Sequence, residues 1–154
     1  VLKNILLLNP TNFSEQKKDF DKLAKNLKDE ATLIIVDSMT LHYRIELGDA
    51  REKNSEGFGE IQKTNSELAR QIGILGEIAR KRNIPVIVTN QIYNWENGTK
   101  MVGGDILKYW GKCIIELVND NGKRIAYLRK HRSLPEKSLS FQIYDGGIRK
   151  KGWI

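Results

Sequence analysis

Leu33-Ile34-Ile35-Val36-Asp37-Ser38 is a run of branched apolar residues that stops abruptly on a carboxylate. Four apolar residues without polar alternation predict a strand buried on both faces, as at the centre of a parallel sheet. A carboxylate cannot remain unpaired inside such a sheet. Asp37 is therefore expected at the carboxyl end of the strand, where open α/β sheets keep their ligand crevice. An acid in that place holds Mg²⁺ or its water shell in nucleotide-hydrolysing folds, although many other α/β proteins also end a strand on Asp.

A second apolar run, Pro85-Val86-Ile87-Val88-Thr89-Asn90-Gln91, also finishes in polar residues. Between the two lies a long helix marked by Ile61, Leu68, Ile72, Leu75 and Ala79, ending before Asn83 and Pro85. Strand, helix, strand implies parallel pairing with a right-handed crossover, so both runs end on one edge. Asp37, Ser38, Asn90 and Gln91 converge there in this reading. Upstream, Asn4-Ile5-Leu6-Leu7-Leu8 reads as a strand closed by Asn9-Pro10. Phe20, Leu23, Ala24 and Leu27 then mark an amphipathic helix, with Ser14 as its N-cap. Glu46 to Gly59 is polar and reads as a loop.

Past Gln91 the pattern changes. Asn94 to Gly104 reads as a loop carrying Trp95 and Gly98, followed by a short helix around Ile106 to Trp110. Cys113 to Val118, Arg124 to Lys130, and the alternating Leu139, Phe141 and Ile143 read as an antiparallel meander, with Asp120-Asn121-Gly122 as a hairpin turn.

With 154 residues the chain has room for one core rather than two comfortable domains. No run approaches the roughly 18 residues a membrane-spanning helix needs, and a single cysteine, Cys113, excludes a disulfide framework and a thiolate cluster. A cytoplasmic protein without membrane partners is the expectation. The net charge of +7 lies wholly in residues 123–154, which hold nine basic side chains against Glu136 and Asp145. Such asymmetry points to a polyanion near the C-terminal segment, with a solvated basic tail as the alternative.

Gly57-Phe58-Gly59-Glu60-Ile61-Gln62-Lys63-Thr64 imitates a phosphate loop, but Gln62 stands where glycine is needed and no strand leads in. His42 lacks an evident partner and reads as a loop histidine rather than a base; Cys113 reads as core rather than nucleophile. Tyr93 and Trp95 either pack locally or stack on a base. Arg129-Lys130-His131-Arg132 cannot all be buried, so the segment either contacts phosphates or is pinned by Glu116 or Glu136.

Taken together, Leu33 to Arg44, Asn83 to Gln91, Met101 to Leu107, Arg129 to Glu136 and Phe141 to Ile148 resemble, in order and nearly end to end, the RecA/RadA recombinase superfamily of archaea. The resemblance implies an α/β RecA-like ATPase core, with parallel central strands and flanking helices followed by a C-terminal antiparallel meander, in one partial domain over 1–154. It implies ATP and Mg²⁺ as ligands of the intact protein. Asp37 would serve the metal through water, Ser38 and Asn90 would border the nucleotide, and Gln91 would sense the terminal phosphate and couple it to residues 92–102. Residues 45–60 would form the first DNA loop, and Arg44, Arg51, Lys100, Arg129, Lys130, His131 and Arg132 would contact single-stranded or branched DNA. Further partners implied are a recombinase or a Holliday-junction resolvase.

The departures matter equally. The family's phosphate loop and catalytic glutamate would precede Val1, so a fragment is expected that neither holds ATP tightly nor hydrolyses it alone. No Phe-x-x-Ala tetrapeptide is present, which argues against filament formation; an accessory role in DNA repair and recombination is expected. A non-catalytic adaptor of the same fold and a ring-forming ATPase are the rival readings.

Overall fold

The computed structural model describes residues 2–52, 57–95 and 98–151, in two compact units that divide after Trp110.

In the first unit, helix α1 (Phe13–Asn26) is started by Asn12 rather than Ser14. The Asn12 side-chain oxygen accepts from Glu15 N at 2.9 Å, and the Glu15 carboxylate reaches back to Thr11 N at 2.8 Å. That reciprocal exchange needs an acid three residues after the cap, which Asn12 has in Glu15 and Ser14 lacks in Lys17. Strand β1 (Ile34–Val36) follows, then helix α2 (Leu41–Glu52), helix α3 (Gly57–Arg82) and strand β2 (Val86–Val88). The pair β1/β2 is parallel, with Ile34 opposite Val86 and Val36 opposite Val88. This is the expected crossover. Its ladder continues beyond both strands, because Thr89 N donates to Val36 O and Met39 N donates to Thr89 O.

The core lies on one side of these strands. Phe13 and Phe20 of α1, Ile34 of β1, and Leu68, Ile72, Leu75 and Ile78 of α3 are buried together with Met39, Tyr43 and Val102. Their spacing of three and four along α3 is the stripe of a helix that covers a sheet, with Ile78 rather than Ala79 closing it. The other face is open: Ile35 is 60% exposed and Ile87 51%. Burial on both faces, expected from the unbroken apolar runs, is thus corrected to burial on one, since no helix among the described residues covers the second.

Two further expectations fail locally. Residues 4–8 form no strand; a 3₁₀ turn occupies Leu2–Asn4, and Ile5, Leu6 and Leu7 are exposed. A strand needs a ladder partner, and no described strand offers one. The supposed loop from Glu46 to Gly59 is helical over its described part, residues 53–56 lying outside the described residues. Tyr43, Leu47 and Ala50 recur at helical spacing and seat α2 against the core, and His42 sits in its first turn with Nε2 3.0 Å from Pro10 O.

A polar seam crosses the packed helices. Gln16 Nε2 donates to Met39 O at 3.3 Å and to Gln71 Oε1 at 2.7 Å, and Gln71 Nε2 donates to Glu67 Oε1 at 3.0 Å. Glu67 accepts from Arg70 as well, and Lys17 lies 3.8 Å away. Burial raises the Glu67 carboxyl, but the hydrogen bonds from Arg70 and Gln71 and the nearby Arg70 and Lys17 charges outweigh it and hold its pKa below the ordinary value. A depressed carboxyl contributes stability above its unfolded pKa of about 4.3 and loses it as pH falls through the lower folded value. Acid titration of the melting temperature is therefore expected to fall more steeply for the native chain than for Glu67→Gln below about pH 4.3; parallel curves would exclude this contribution.

After β2, β3 (Ile92–Trp95) pairs antiparallel with β4 (Gly98–Met101) where an irregular loop is expected, residues 96–97 lying outside the described residues. Cross-strand pairing satisfies backbone groups that a loop would leave to water. The Trp95 side chain lies outside the described residues. Gly103, with φ of +76°, turns the chain into helix α4 (Gly104–Trp110).

The second unit is a four-stranded antiparallel sheet in sequence order: β5 (Ile114–Asp120), β6 (Lys123–Lys130), β7 (Lys137–Tyr144) and β8 (Gly147–Lys150). The expected meander is present, with β8 as an added fourth strand. Asn121 and Gly122 join β5 to β6 with positive φ at both positions, the conformation that matches strand twist in a two-residue hairpin. Cross-strand register puts Leu117, Ala126, Leu139, Phe141, Ile143 and Ile148 on one face. Tyr127, Arg129, Ser138, Gln142, Tyr144 and Arg149 share the opposite, polar face. Cys113 is exposed, not core, because it precedes β5 and takes no place in either face.

Candidate functional site

The carboxyl edge of β1/β2 gathers the residues expected there. Asp37 follows the last paired residue of β1, and its Oδ1 accepts from the Thr89 hydroxyl, one residue past β2, at 2.5 Å. Asp37 is exposed. Ser38 Oγ is buried and has no hydrogen-bond partner among the described residues. Hydroxyls in that state are uncommon, since an unmet buried polar group costs about 1 to 3 kcal/mol.

Asn90 acts as a clip. Its Oδ1 accepts from the buried Thr40 hydroxyl, which precedes α2, and its Nδ2 donates to Val102 O at 2.7 Å. Val102 N in turn donates to Gln91 O at 3.1 Å. One amide thereby ties the turn after β1 to the residue that follows the β3/β4 hairpin. Asn90, expected to border a ligand, spends one acceptor and one donor position on bracing the edge. Gln91 stands at the same end with an exposed side chain, and its backbone begins the link to the hairpin. Thr89, Thr40 and Gln16 add to the edge without a clear signal in the sequence. Only the polar ends of the two apolar runs hint at them, because a hydrogen bond between residues roughly fifty apart leaves no trace in local spacing.

The predicted DNA-contacting residues fall in separate places. Arg44 and Arg51 lie on the exposed side of α2, seven residues apart and so on one stripe. Lys100 pairs with Tyr93 across the hairpin. In the second unit, Arg129 Nε donates to Glu116 Oε2 at 2.6 Å, and its guanidinium stacks 4.4 Å from the centre of the Tyr127 ring. The pinned alternative therefore describes Arg129. His131 lies past the end of β6, where Nδ1 accepts from Ser133 N and Leu134 N, both at 3.1 Å. It builds the turn into Leu134-Pro135, so the strand's alternation of faces stops at Lys130. Lys130 and Arg132 are exposed.

Among the described residues no cluster of three or more His, Cys, Asp or Glu could hold a metal ion alone, and no helix is long and apolar enough to cross a membrane.

Comparison with known proteins agrees with the fold. The Rad51 family model matches residues 1–151. The chain is 38% identical over 148 residues to the DNA repair and recombination protein RadB of Methanocaldococcus jannaschii, a match covering 96% of this chain and 66% of that protein. It is 36% identical over 149 residues to the protein of the same name from Methanococcus maripaludis, covering 96% and 65%. The protein of that name from Methanococcoides burtonii is 38% identical over 153 residues, covering 97% and 64%. The chain thus spans just under two thirds of the length of the curated relatives it matches. A family match over nearly all of its residues, on a parallel pair whose acid sits at the carboxyl edge, makes this chain a member of the Rad51 family.

Proposed function

We propose that the chain is part of a RadB-like, RecA-fold protein of DNA repair and recombination, with both units belonging to one core that binds ATP·Mg²⁺ and DNA. The observation that carries this reading is the shared edge of β1/β2, where Asp37, Ser38 and Gln91 stand together in a chain matched to the Rad51 family over 151 residues.

The residues present fit the nucleotide and its metal. Mg²⁺ keeps most of its waters and takes one or two carboxylates together with substrate phosphates. Asp37 alone, with one oxygen on Thr89, suits that role better than a dedicated ligand cage would. The unpartnered Ser38 hydroxyl is the natural neighbour for the same hydrated ion or a phosphate oxygen. When bound, Mg²⁺ neutralises charge on the phosphates. Gln91 would report their presence to the hairpin through its backbone link to Val102, with Asn90 holding the two segments in register. The 154 residues contain no glycine-rich cradle of the P-loop kind, so the chain by itself is expected to bind nucleotide weakly.

Contact with DNA is assigned to Lys130 and Arg132 in the second unit, with Arg44, Arg51 and Lys100 as contacts of the first. Arg129 and His131 support rather than touch it, one braced by Glu116 and the other building a turn. A recombinase or a junction resolvase is the class of protein partner this role calls for. Fluorescence anisotropy with labelled oligo(dT) over a salt series tests the reading. Lys130→Ala with Arg132→Ala is expected to flatten log K against log salt by roughly 0.7 for each phosphate no longer neutralised. An unchanged slope with a lowered melting temperature would make the pair structural.

A further inference from the structure

We infer that the outer end of the second sheet carries a separate phosphate-binding subsite, built from Lys123, Arg124, Arg149 and Lys151 around Tyr144 and Gln142. This inference rests on the DNA-binding reading above and adds a place to it.

A cavity of about 260 Å³ opens beside the Asn121-Gly122 turn and is lined by these six residues together with Gly122, Phe141 and Ile143. It falls below the roughly 300 to 1,000 Å³ of ordinary small-molecule sites, which suits a single anionic group better than a whole cofactor. Four cations line it and no acid does. Asp120 and Asp145, the acids closest in sequence, sit at the ends of the flanking turns outside the lining. Among the described residues none of the four cations enters an ion pair, in contrast to Arg70, Arg82 and Arg129, each of which has its carboxylate. Four positive charges around one space, with only Asp120 set across from Lys123 by the strand register, repel each other, and an anion placed among them relieves that repulsion.

The cavity is also organised. Arg149 stacks over the Tyr144 ring at 5.1 Å, which fixes the guanidinium plane and leaves its edge for paired contacts to phosphate oxygens. Tyr144 in turn folds over Gly146, where a Cβ would stand 2.7 Å from Cε2 of the ring. Lys151 is tethered through its backbone, N donating to Ser140 O at 2.9 Å. Register brings Gln142 opposite Arg149 on the polar face, adding a neutral amide donor beside the cations. A planar guanidinium, point-charge ammoniums and an amide next to an aromatic ring are the groups that track the backbone of single-stranded nucleic acid. Along β6 the same face bears Arg129 on Tyr127, so the sheet repeats an arginine-on-tyrosine unit. The ligand is therefore a phosphodiester of single-stranded nucleic acid.

The test uses the 154-residue chain, labelled oligo(dT) and inorganic phosphate. Lys123→Gln with Arg149→Gln is expected to lower the salt slope by roughly 0.7 for each phosphate no longer neutralised, with the melting temperature unchanged. Arg149→Lys, which keeps charge and loses the stack, should weaken binding while preserving the slope. In the native chain, oligo(dT) should shift the amide NMR signals of Gly122, Arg149 and Lys151, whereas inorganic phosphate at equal ionic strength should compete poorly. Oligonucleotide binding with no shift at these amides and an unaltered slope in the double variant overturns the subsite and leaves the DNA reading intact. Absence of any oligonucleotide binding by the native chain overturns both. Inorganic phosphate competing as well as oligo(dT) overturns the phosphodiester assignment in favour of a free anion.

Discussion

Leu68→Ala is expected to destabilise the first unit by about 3 to 5 kcal/mol, the upper part of the range for leucine truncation in a core. Leu68 is fully buried near the middle of α3, among the side chains that α1, β1 and the turn after β1 bring together. Its Cδ2 also supports the turn at Gly103, where an added Cβ would lie 3.2 Å from it and 3.3 Å from Leu107 Cδ1. Removing the isopropyl group therefore opens a void among the elements that meet at this side chain. Urea unfolding followed by circular dichroism measures the loss, and a change under about 1 kcal/mol would mean that the site collapses freely. Gly103→Ala is unfavourable for two separate reasons, its positive φ and this close approach. Combined with Leu68→Ala, only the close approach is relieved, so the pair should cost less than the sum of its parts.

Gln71→Leu is the second large effect. Gln71 is fully buried and Gln16 nearly so, at 4% exposed, and their amides are joined at 2.7 Å. Leucine removes the acceptor of one Gln16 Nε2 hydrogen and the donor to Glu67 Oε1; Gln16 keeps Met39 O and Glu67 keeps Arg70, so one amide N–H is left unmet in a dry place. The expected cost is about 1 to 3 kcal/mol for the stranded amide. The same substitution loosens Gln16 from Met39 O, so amide exchange at Met39 and Thr89, which close the ladder beside Asp37, should quicken more than exchange elsewhere. Gln16→Leu added to Gln71→Leu removes both partners and should recover part of the loss. If the double variant is no better than the single one, the seam is packing rather than hydrogen bonding.

How far the chain can be read in advance follows from what each element depends on. The pair β1/β2, helix α3 and the Asn121-Gly122 turn depend on local period and turn chemistry, and these are legible. So is the convergence of Asp37 and Gln91, because parallel pairing alone puts both at one edge. Residues 4–8 have the composition of a strand, but a strand is a property of two segments, and its partner is not written in its own residues. Helix α2 has a polar composition and only Tyr43, Leu47 and Ala50 facing inward, so packing rather than propensity decides it. Ser14 and Asn12 are both good caps, and the choice turns on which of them has an acid three residues later. Within the site, the Thr89–Asp37 and Thr40–Asn90–Val102 bonds depend on register and rotamer together. Likewise, the arrest of Arg129 by Glu116 requires knowing that β5 lies beside β6.

Strand β8 has a consequence of another kind. It is an outermost strand of the second sheet, with a neighbour on one side only, and one side of its backbone is left without a ladder partner in the sheet. Behind it lies an apolar face with Ile143 57% and Ile148 69% exposed. A flat, greasy border of this sort recruits strands from other molecules and seeds aggregates unless something repels them. Arg149 and Lys150 on the strand and Lys151 just beyond it are that something. Arg149 and Lys151, assigned above to holding a polyanion, thus also keep copies of the chain apart, so colloidal behaviour and ligand affinity share these two side chains.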